Sequence, residues 1–294
     1  MNASPVVLWL LAARPKTLPA ALAPVLVGTV MAASAGLAHW PAAVAALLGA
    51  LLIQVGTNFA NDYFDFLKGA DTAARVGPRR MVQSGLISPA AMRRAAVIAF
   101  ALAVLVGAYL VWRGGLPILA VGLVSIASGV LYTGGPWPLA YKGLGDLFVL
   151  VFFGPVAVGG TYYVQALTID GWVLLAGLGP GLVSVAILTV NNLRDIDTDA
   201  RADKRTLAVR LGPDFARWEY LLALLAAAAL PLVFLAAGRA GPAIALTLLV
   251  PLAAIPAIRR VFAAHDALAL NRTLATTGQL LLLHAVLFSI GWTL

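Results

Sequence analysis

The sequence predicts an all-α, polytopic membrane bundle of nine transmembrane helices, with the N-terminus cytoplasmic and the C-terminus outside. Three observations predict it. The 294 residues are 62% hydrophobic and only 11% charged, with a mean hydropathy of +0.94, far outside the soluble globular range. Apolar runs of roughly 20 residues, the length that crosses a bilayer, recur along the whole chain. The basic residues then segregate to one side of those runs.

The opening stretch, "MNASPVVLWLLAARPKTLP", places Arg14 and Lys16 after its apolar run, which argues against a signal peptide. It reads as a short interfacial helix that leads into the first span. Spans are expected at about 18–38, 42–61, 92–112, 115–133, 144–165, 171–190, 217–237, 241–258 and 273–293. Several are rich in Gly and Pro, which membrane helices tolerate. No polar tract longer than about 30 residues separates them, so residues 1–294 form one integral-membrane domain.

With the N-terminus inside, only Arg113 and Arg239 of the 20 basic residues fall outside, which fixes the expected orientation. The net charge of +8 suits contact with anionic lipid, and no nucleic-acid partner is expected. Of the 12 acidic residues only Asp170 falls outside, and lipid contact does not explain that. Cysteine is absent, excluding disulfides and thiolate sites, and His39, His265 and His284 lack metal-ligand spacing.

The acidic residues gather at the ends of two spans. In "NFANDYFDF", Asn58, Asp62 and Asp65 fall within about 60° of one another at ~100° per residue, and Gln54 extends the stripe. In "NNLRDIDTDARADKRTLAVRLG", Asn191, Asp195 and Asp199 recur at i, i+4 and i+8 and share a helix face. Both spans run from outside to inside and deliver these groups to one leaflet. A charged residue at a bilayer centre costs ~2.5–3.5 kcal/mol, so the carboxylates must face a wet cavity near the cytoplasmic interface.

Oxygen donors without His or Cys favour a hard divalent ion, and Mg²⁺ fits best because it keeps positions for substrate phosphates. Lys204 and Arg205 follow the second cluster, and Lys68, Arg75, Arg79 and Arg80 follow the first; these supply further cations. Charge and spacing alone thus point to metal-bound diphosphate at the cytoplasmic mouth of a membrane bundle. A transporter is the rival reading, but it calls for ionisable groups at mid-membrane and on both faces. A phosphatidyltransferase would place glycine, not Phe66, after the first acids.

On these residues the chain resembles the UbiA-type intramembrane aromatic prenyltransferases, over nearly its whole length. Within that superfamily it is most similar to the branch that prenylates 1,4-dihydroxy-2-naphthoate. The segments that carry the likeness are 13–29, 58–71, 132–165 and 191–212. The resemblance implies the nine-helix prenyltransferase fold, and Mg²⁺ and diphosphate held by Asp62, Asp65, Asp195 and Asp199 with Asn58 and Asn191. It implies transfer of a polyprenyl group from its diphosphate to dihydroxynaphthoate, with loss of diphosphate and CO2, giving demethylmenaquinone. A 4-hydroxybenzoate acceptor or a phytyl donor is the neighbouring alternative.

Lys142, Lys204, Arg205 and Arg79 are the expected diphosphate contacts, with Tyr141 capping the site. Arg14, Arg79 and Arg80 are candidates for orienting the acceptor carboxylate, and Asn61 and Gln83 join them as substrate-binding candidates. Two departures from the superfamily pattern stand out. Phe66 occupies the position of the last acid of the first motif, which leaves its third ligand to Asp65 or Asp71, and Asp146 stands where glutamate is expected. The aromatic and small residues of 152–165 are expected mainly to pack helices. His284 is expected to make an interhelical hydrogen bond, and Glu219 to sit at a helix N-terminus.

Overall fold

The computed structural model describes residues 4–70, 77, 79–263 and 267–294, so Asp71, Arg75 and His265 lie outside the described residues. The helices are α1 Pro5–Ala13, α2 Pro19–Ser34, α3 Trp40–Leu67, α4 Pro89–Gly114, α5 Leu116–Leu131, α6 Gly145–Val151 and α7 Ala157–Ala166. They continue with α8 Gly171–Arg194, α9 Ile196–Arg201, α10 Leu207–Ala229, α11 Leu232–Ala236, α12 Leu249–Ala263 and α13 Ala267–Thr293. Among the described residues, 7 helical stretches are long and apolar enough to cross a membrane. An eighth is added if α1 and α2, bent by 53° at Leu18, count as one span, and α5 is a shorter apolar helix. The chain is a multi-pass membrane protein.

Helix starts follow from capping chemistry. Ser4, His39, Ser88, Asp170 and Thr206 each accept a backbone N–H of the following turn, and proline opens α1, α2, α3, α4 and α5 near the first helical position, where its missing N–H costs nothing. Two interruptions shape the bundle. Pro155 cannot donate to the ladder, and a π turn over Phe152–Val156 joins α6 to α7 around a non-helical Gly154. Gly212, at φ 89°, breaks α10 near its start, so the span that was expected to begin at 217 is preceded by two further helical turns.

The most extensive apolar cluster joins α2 to helices of the C-terminal half. It runs from Ala23, Val27 and Met31 of α2 through Val183, Ala186 and Val190 of α8 to Tyr220, Leu224, Leu281 and Phe288. Its many alanines let backbones approach, which drives helix association where hydrocarbon surrounds the protein. The expected interhelical bond of His284 is present: Nε2 lies 2.9 Å from the Ala227 carbonyl of α10. Glu219 departs from expectation. It lies about two turns beyond the Gly212 break in α10, and its carboxylate accepts the Thr189 hydroxyl of α8 at 3.0 Å, a polar partner that satisfies it away from the helix end. The two outlying cations are locally held: Arg113 donates to the Val164 and Gln165 carbonyls, and Arg239 lies over the Trp172 ring.

Glycines divide into two kinds. A Cβ on Gly177 of α8 would lie 2.7 Å from the backbone of Pro155, so only glycine permits that crossing. Gly49, Gly107 and Gly122, on α3, α4 and α5, would meet nothing within 4 Å. Gly177→Val is therefore expected to destabilise the protein by about 1–3 kcal/mol. Gly107→Ala should leave stability unchanged or raise it, since alanine is the better helix former by ~1 kcal/mol. Thermal unfolding in detergent separates the two.

Candidate active site

One cavity of about 960 Å³ occupies the space between α2, α3, α4, α5, α7 and α8. Along α3 it is lined from Ala46 to Asp65, about 28 Å at ~1.5 Å per residue, close to the thickness of a hydrocarbon core. The Asp65 end is polar, with Asn58, Asn61, Asp62, Asn191 and Asn192 in its wall, whereas the far end is lined by such residues as Val111, Trp112, Ile118 and Leu119. Six basic residues, Arg14, Lys16, Arg79, Arg80, Arg194 and Lys204, line the cavity against two carboxylates, Asp62 and Asp65. The polar end is therefore cationic on balance and suited to an anion.

The first acidic motif is held as its spacing requires. Helix α3 runs on past 61 to Leu67, so Asn58, Asp62 and Asp65 share its inward face and are buried. Asp62 accepts the backbone N–H groups of Met81 and Val82 at 3.1 and 3.3 Å. Asp65 is paired with Arg80 at 3.0 Å and accepts the Tyr141 hydroxyl at 3.3 Å. Asn58 donates to the Ala13 carbonyl at 2.9 Å and the Thr17 hydroxyl at 3.1 Å, which pins the segment carrying Arg14 over the cavity. Arg14 itself adopts φ 53°, a left-handed conformation that costs a non-glycine residue about 1–2 kcal/mol. Asn61 accepts the Thr133 hydroxyl at 2.9 Å.

The second motif differs from the single helix face that its spacing suggests. Helix α8 ends at Arg194, the chain bends at Asp195, and Asp199 rides on the separate short helix α9. Asp195 is grasped by Arg194, Nε to Oδ1 at 2.8 Å and Nη2 to Oδ2 at 2.6 Å, and Asp199 faces Lys204 at 3.4 Å. Both carboxylates thus stand directly behind cavity-lining cations and do not line the space themselves. Tyr132 also lines the cavity.

Several expected site residues are not brought to the cavity. Lys142 is exposed, with Nζ over the Trp137 ring at 5.1 Å. Arg205 is exposed and paired with Asp203, and Gln83 is half-buried on the turn beneath Asp62, outside the cavity lining. Lys68 donates to the Thr133 carbonyl and lies over the Tyr141 ring at 4.8 Å. Burial pushes its ammonium below the ordinary lysine range, and the Asp65 charge pulls it partly back. Arg194, Tyr132, Thr133 and Asn271 were not singled out from sequence. Only Arg194 carried a signal, its place between Asn191 and Asp195.

The all-oxygen donor set, four carboxylates and two amides around one cavity, has the chemistry of a hard divalent cation site. Among the described residues no three acidic or histidine side chains are grouped closely enough to hold a metal, and Asp65, Asp195 and Asp199 are each paired with a cation of the same chain.

A cationic mouth at one end of a long apolar cavity, inside a helical bundle, has a shape and charge that suit an amphiphilic anion. Residues 21–283 match the model of the UbiA prenyltransferase family, and the chain belongs to that family. It is 50% identical over 213 residues to a 1,4-dihydroxy-2-naphthoate octaprenyltransferase of Mycobacterium tuberculosis, covering 72% of each chain. It is 38% identical to the Haemophilus influenzae protein of the same name, covering 97% of this chain and 95% of that one. A UbiA homolog from Aeropyrum pernix shares the fold with a TM-score of 0.69 at 17% identity, covering 95% of this chain and 97% of that one. One from Archaeoglobus fulgidus, bound to DMAPP and Mg²⁺, shares it with a TM-score of 0.60 at 17% identity, covering 96% and 99%.

The Asn58 bonds yield a direct expectation. In Asn58→Ala, backbone amide exchange over Arg14–Thr17 should speed up by roughly thirtyfold, as two hydrogen bonds of ~1 kcal/mol each are lost. Exchange in α8 and α13 should not change, and an unaltered N-terminal segment would show that Asn58 does not hold it.

Proposed function

We propose that the protein transfers a polyprenyl group from its diphosphate to 1,4-dihydroxy-2-naphthoate, releasing diphosphate and CO2 and forming the hydroquinone form of demethylmenaquinone. The observation that carries this reading is the single cavity joining a cationic, acid-flanked mouth to an apolar limb about 28 Å long. Such a shape accepts a charged head and an isoprenoid tail together, and the names of the relatives support the acceptor.

Asp62, Asp65, Asp195 and Asp199, with Asn58 and Asn191, would hold Mg²⁺ once the carboxylates leave their present partners. When bound, the metal supplies positive charge against the leaving diphosphate. The residues of the chain do the rest. Arg79, Arg80 and Lys204 offer hydrogen bonds to diphosphate oxygens as the allylic C–O bond breaks and its electron pair passes to oxygen. The cavity excludes water from the allylic cation, and the ring must already lie against it. The ring carbon forms the new C–C bond, and the electrons of the ring–carboxylate bond restore aromaticity as CO2 departs. One of Arg14, Arg79 and Arg80 orients the acceptor carboxylate.

We also propose nine spans with the N-terminus inside, the C-terminus outside, and the polar mouth open to the cytoplasm of a cell membrane. The segregation of Lys and Arg supports this. The absence of native cysteine allows a simple check. In intact cells an impermeant thiol reagent should label Ile169→Cys, and should label Arg201→Cys only after the membrane is opened.

Purified protein with Mg²⁺, farnesyl or geranylgeranyl diphosphate and dihydroxynaphthoate is expected to give the prenylated, decarboxylated ring by mass spectrometry. Product with 4-hydroxybenzoate alone would reassign the acceptor, and no product with any aromatic acceptor would reject the function. Lys204→Ala should lower turnover by about 10²-fold. Lys142→Ala, whose ammonium rests on Trp137, should stay near the parent rate.

A further inference from the structure

Arg194 is the last residue of α8, and its side chain is 1% exposed although it borders the cavity. Its guanidinium covers both oxygens of Asp195, and it also donates to Asn191 Oδ1 at 2.7 Å and Asn271 Oδ1 at 3.0 Å. Asn191 and Asp195 are two of the donors assigned above to the metal. A guanidinium fork takes one lone pair on each oxygen of the carboxylate, and a divalent ion brought to the remaining lone pairs would meet a like charge at close range. Arg194 and a metal are therefore alternatives at Asp195.

The other ion pairs do not set up this choice so sharply. Lys204 makes one contact with Asp199, at 3.4 Å, and Arg80 reaches Asp65 from a separate turn. Arg194 is covalently adjacent to the carboxylate it covers, so it stays within reach whether it holds Asp195 or has let go. Once released at the cavity wall, its planar fork of donors matches the oxygens of a phosphate.

We propose that Arg194 is an exchange residue. It neutralises Asp195 while no metal is present, and turns to the diphosphate when the metal takes the carboxylate. Metal and diphosphate then bind as a unit, since each completes what the other displaces. The inference rests on the metal-dependent reading above.

The test compares the parent protein with Arg194→Gln and Arg194→Lys in detergent, using Mn²⁺ as the probe and the paramagnetic resonance of the free ion as the readout. Arg194→Gln is expected to bind Mn²⁺ alone roughly tenfold tighter, because nothing has to be displaced, and the Mn²⁺–diphosphate complex roughly tenfold more weakly. Arg194→Lys, which cannot span both oxygens, should fall between. A purely structural arginine would lower both affinities together with the melting temperature, and that result overturns the proposal, as do two unchanged affinities. Should Arg194→Gln fail to fold, Arg194→Lys decides: Mn²⁺ affinity equal to the parent's refutes the exchange. Failure of the parent to form prenylated product rejects the reaction itself. Product formation with unshifted Mn²⁺ affinities rejects only the role of Arg194.

Discussion

The structure depends on the pairing of buried carboxylates with groups of the same chain. Asp62 rests on two backbone N–H groups, Asp65 on Arg80 and Tyr141, Asp195 on Arg194, and Asp199 on Lys204. Isolated, any of these charges would be intolerable so close to hydrocarbon. Paired, they add little net stability, because desolvation absorbs most of the attraction. What they gain is readiness: an anion site that would otherwise need ligands to exist is already assembled, with its charges stored against one another.

That stored arrangement needs a stiff support, and the bundle provides one unevenly. Helix α8 is the most enclosed span, with 72% of its apolar window buried, and it carries the second motif into the cluster formed by α2, α10 and α13. Helix α4 has only 22% of its window buried and forms a thin outer wall. Around the first motif a smaller cluster of Trp9, Phe59, Met81 and Met92 supports the turn that offers its N–H groups to Asp62. The polar end is thus fixed by packing on both sides, while the apolar limb lies behind the thinner wall.

Much of this was legible from sequence, for reasons that differ by residue. Asn58, Asp62 and Asp65 could be placed together because an uninterrupted helix makes spacing equivalent to geometry. The same reasoning gave Asn191 and Asp195 one neighbourhood but missed the bend at Asp195, since the bond from the Asp199 N–H to the Asp195 carbonyl continues the helical pattern across it. Tyr141 and Lys142 could not be separated by sequence. They sit in a three-residue-per-turn helix over Leu139–Lys142, where neighbours diverge by about 120°, so one reaches Asp65 and the other rests on Trp137. Arg194 was hidden because orientation rules count it as one more cytoplasmic cation and say nothing of its partners.

The unoccupied space at Gly49, Gly107 and Gly122 has an evolutionary consequence. Backbone crossings such as that of Gly177 on Pro155 belong to the frame, and they change only if helices move. Where the channel is bounded by hydrogen atoms standing in for side chains, single codon changes can narrow it by a methyl or an isobutyl group at a time and leave the frame intact. Descendants of this chain could therefore be recalibrated for cargo of different girth or reach without rebuilding the chemistry at the opposite end.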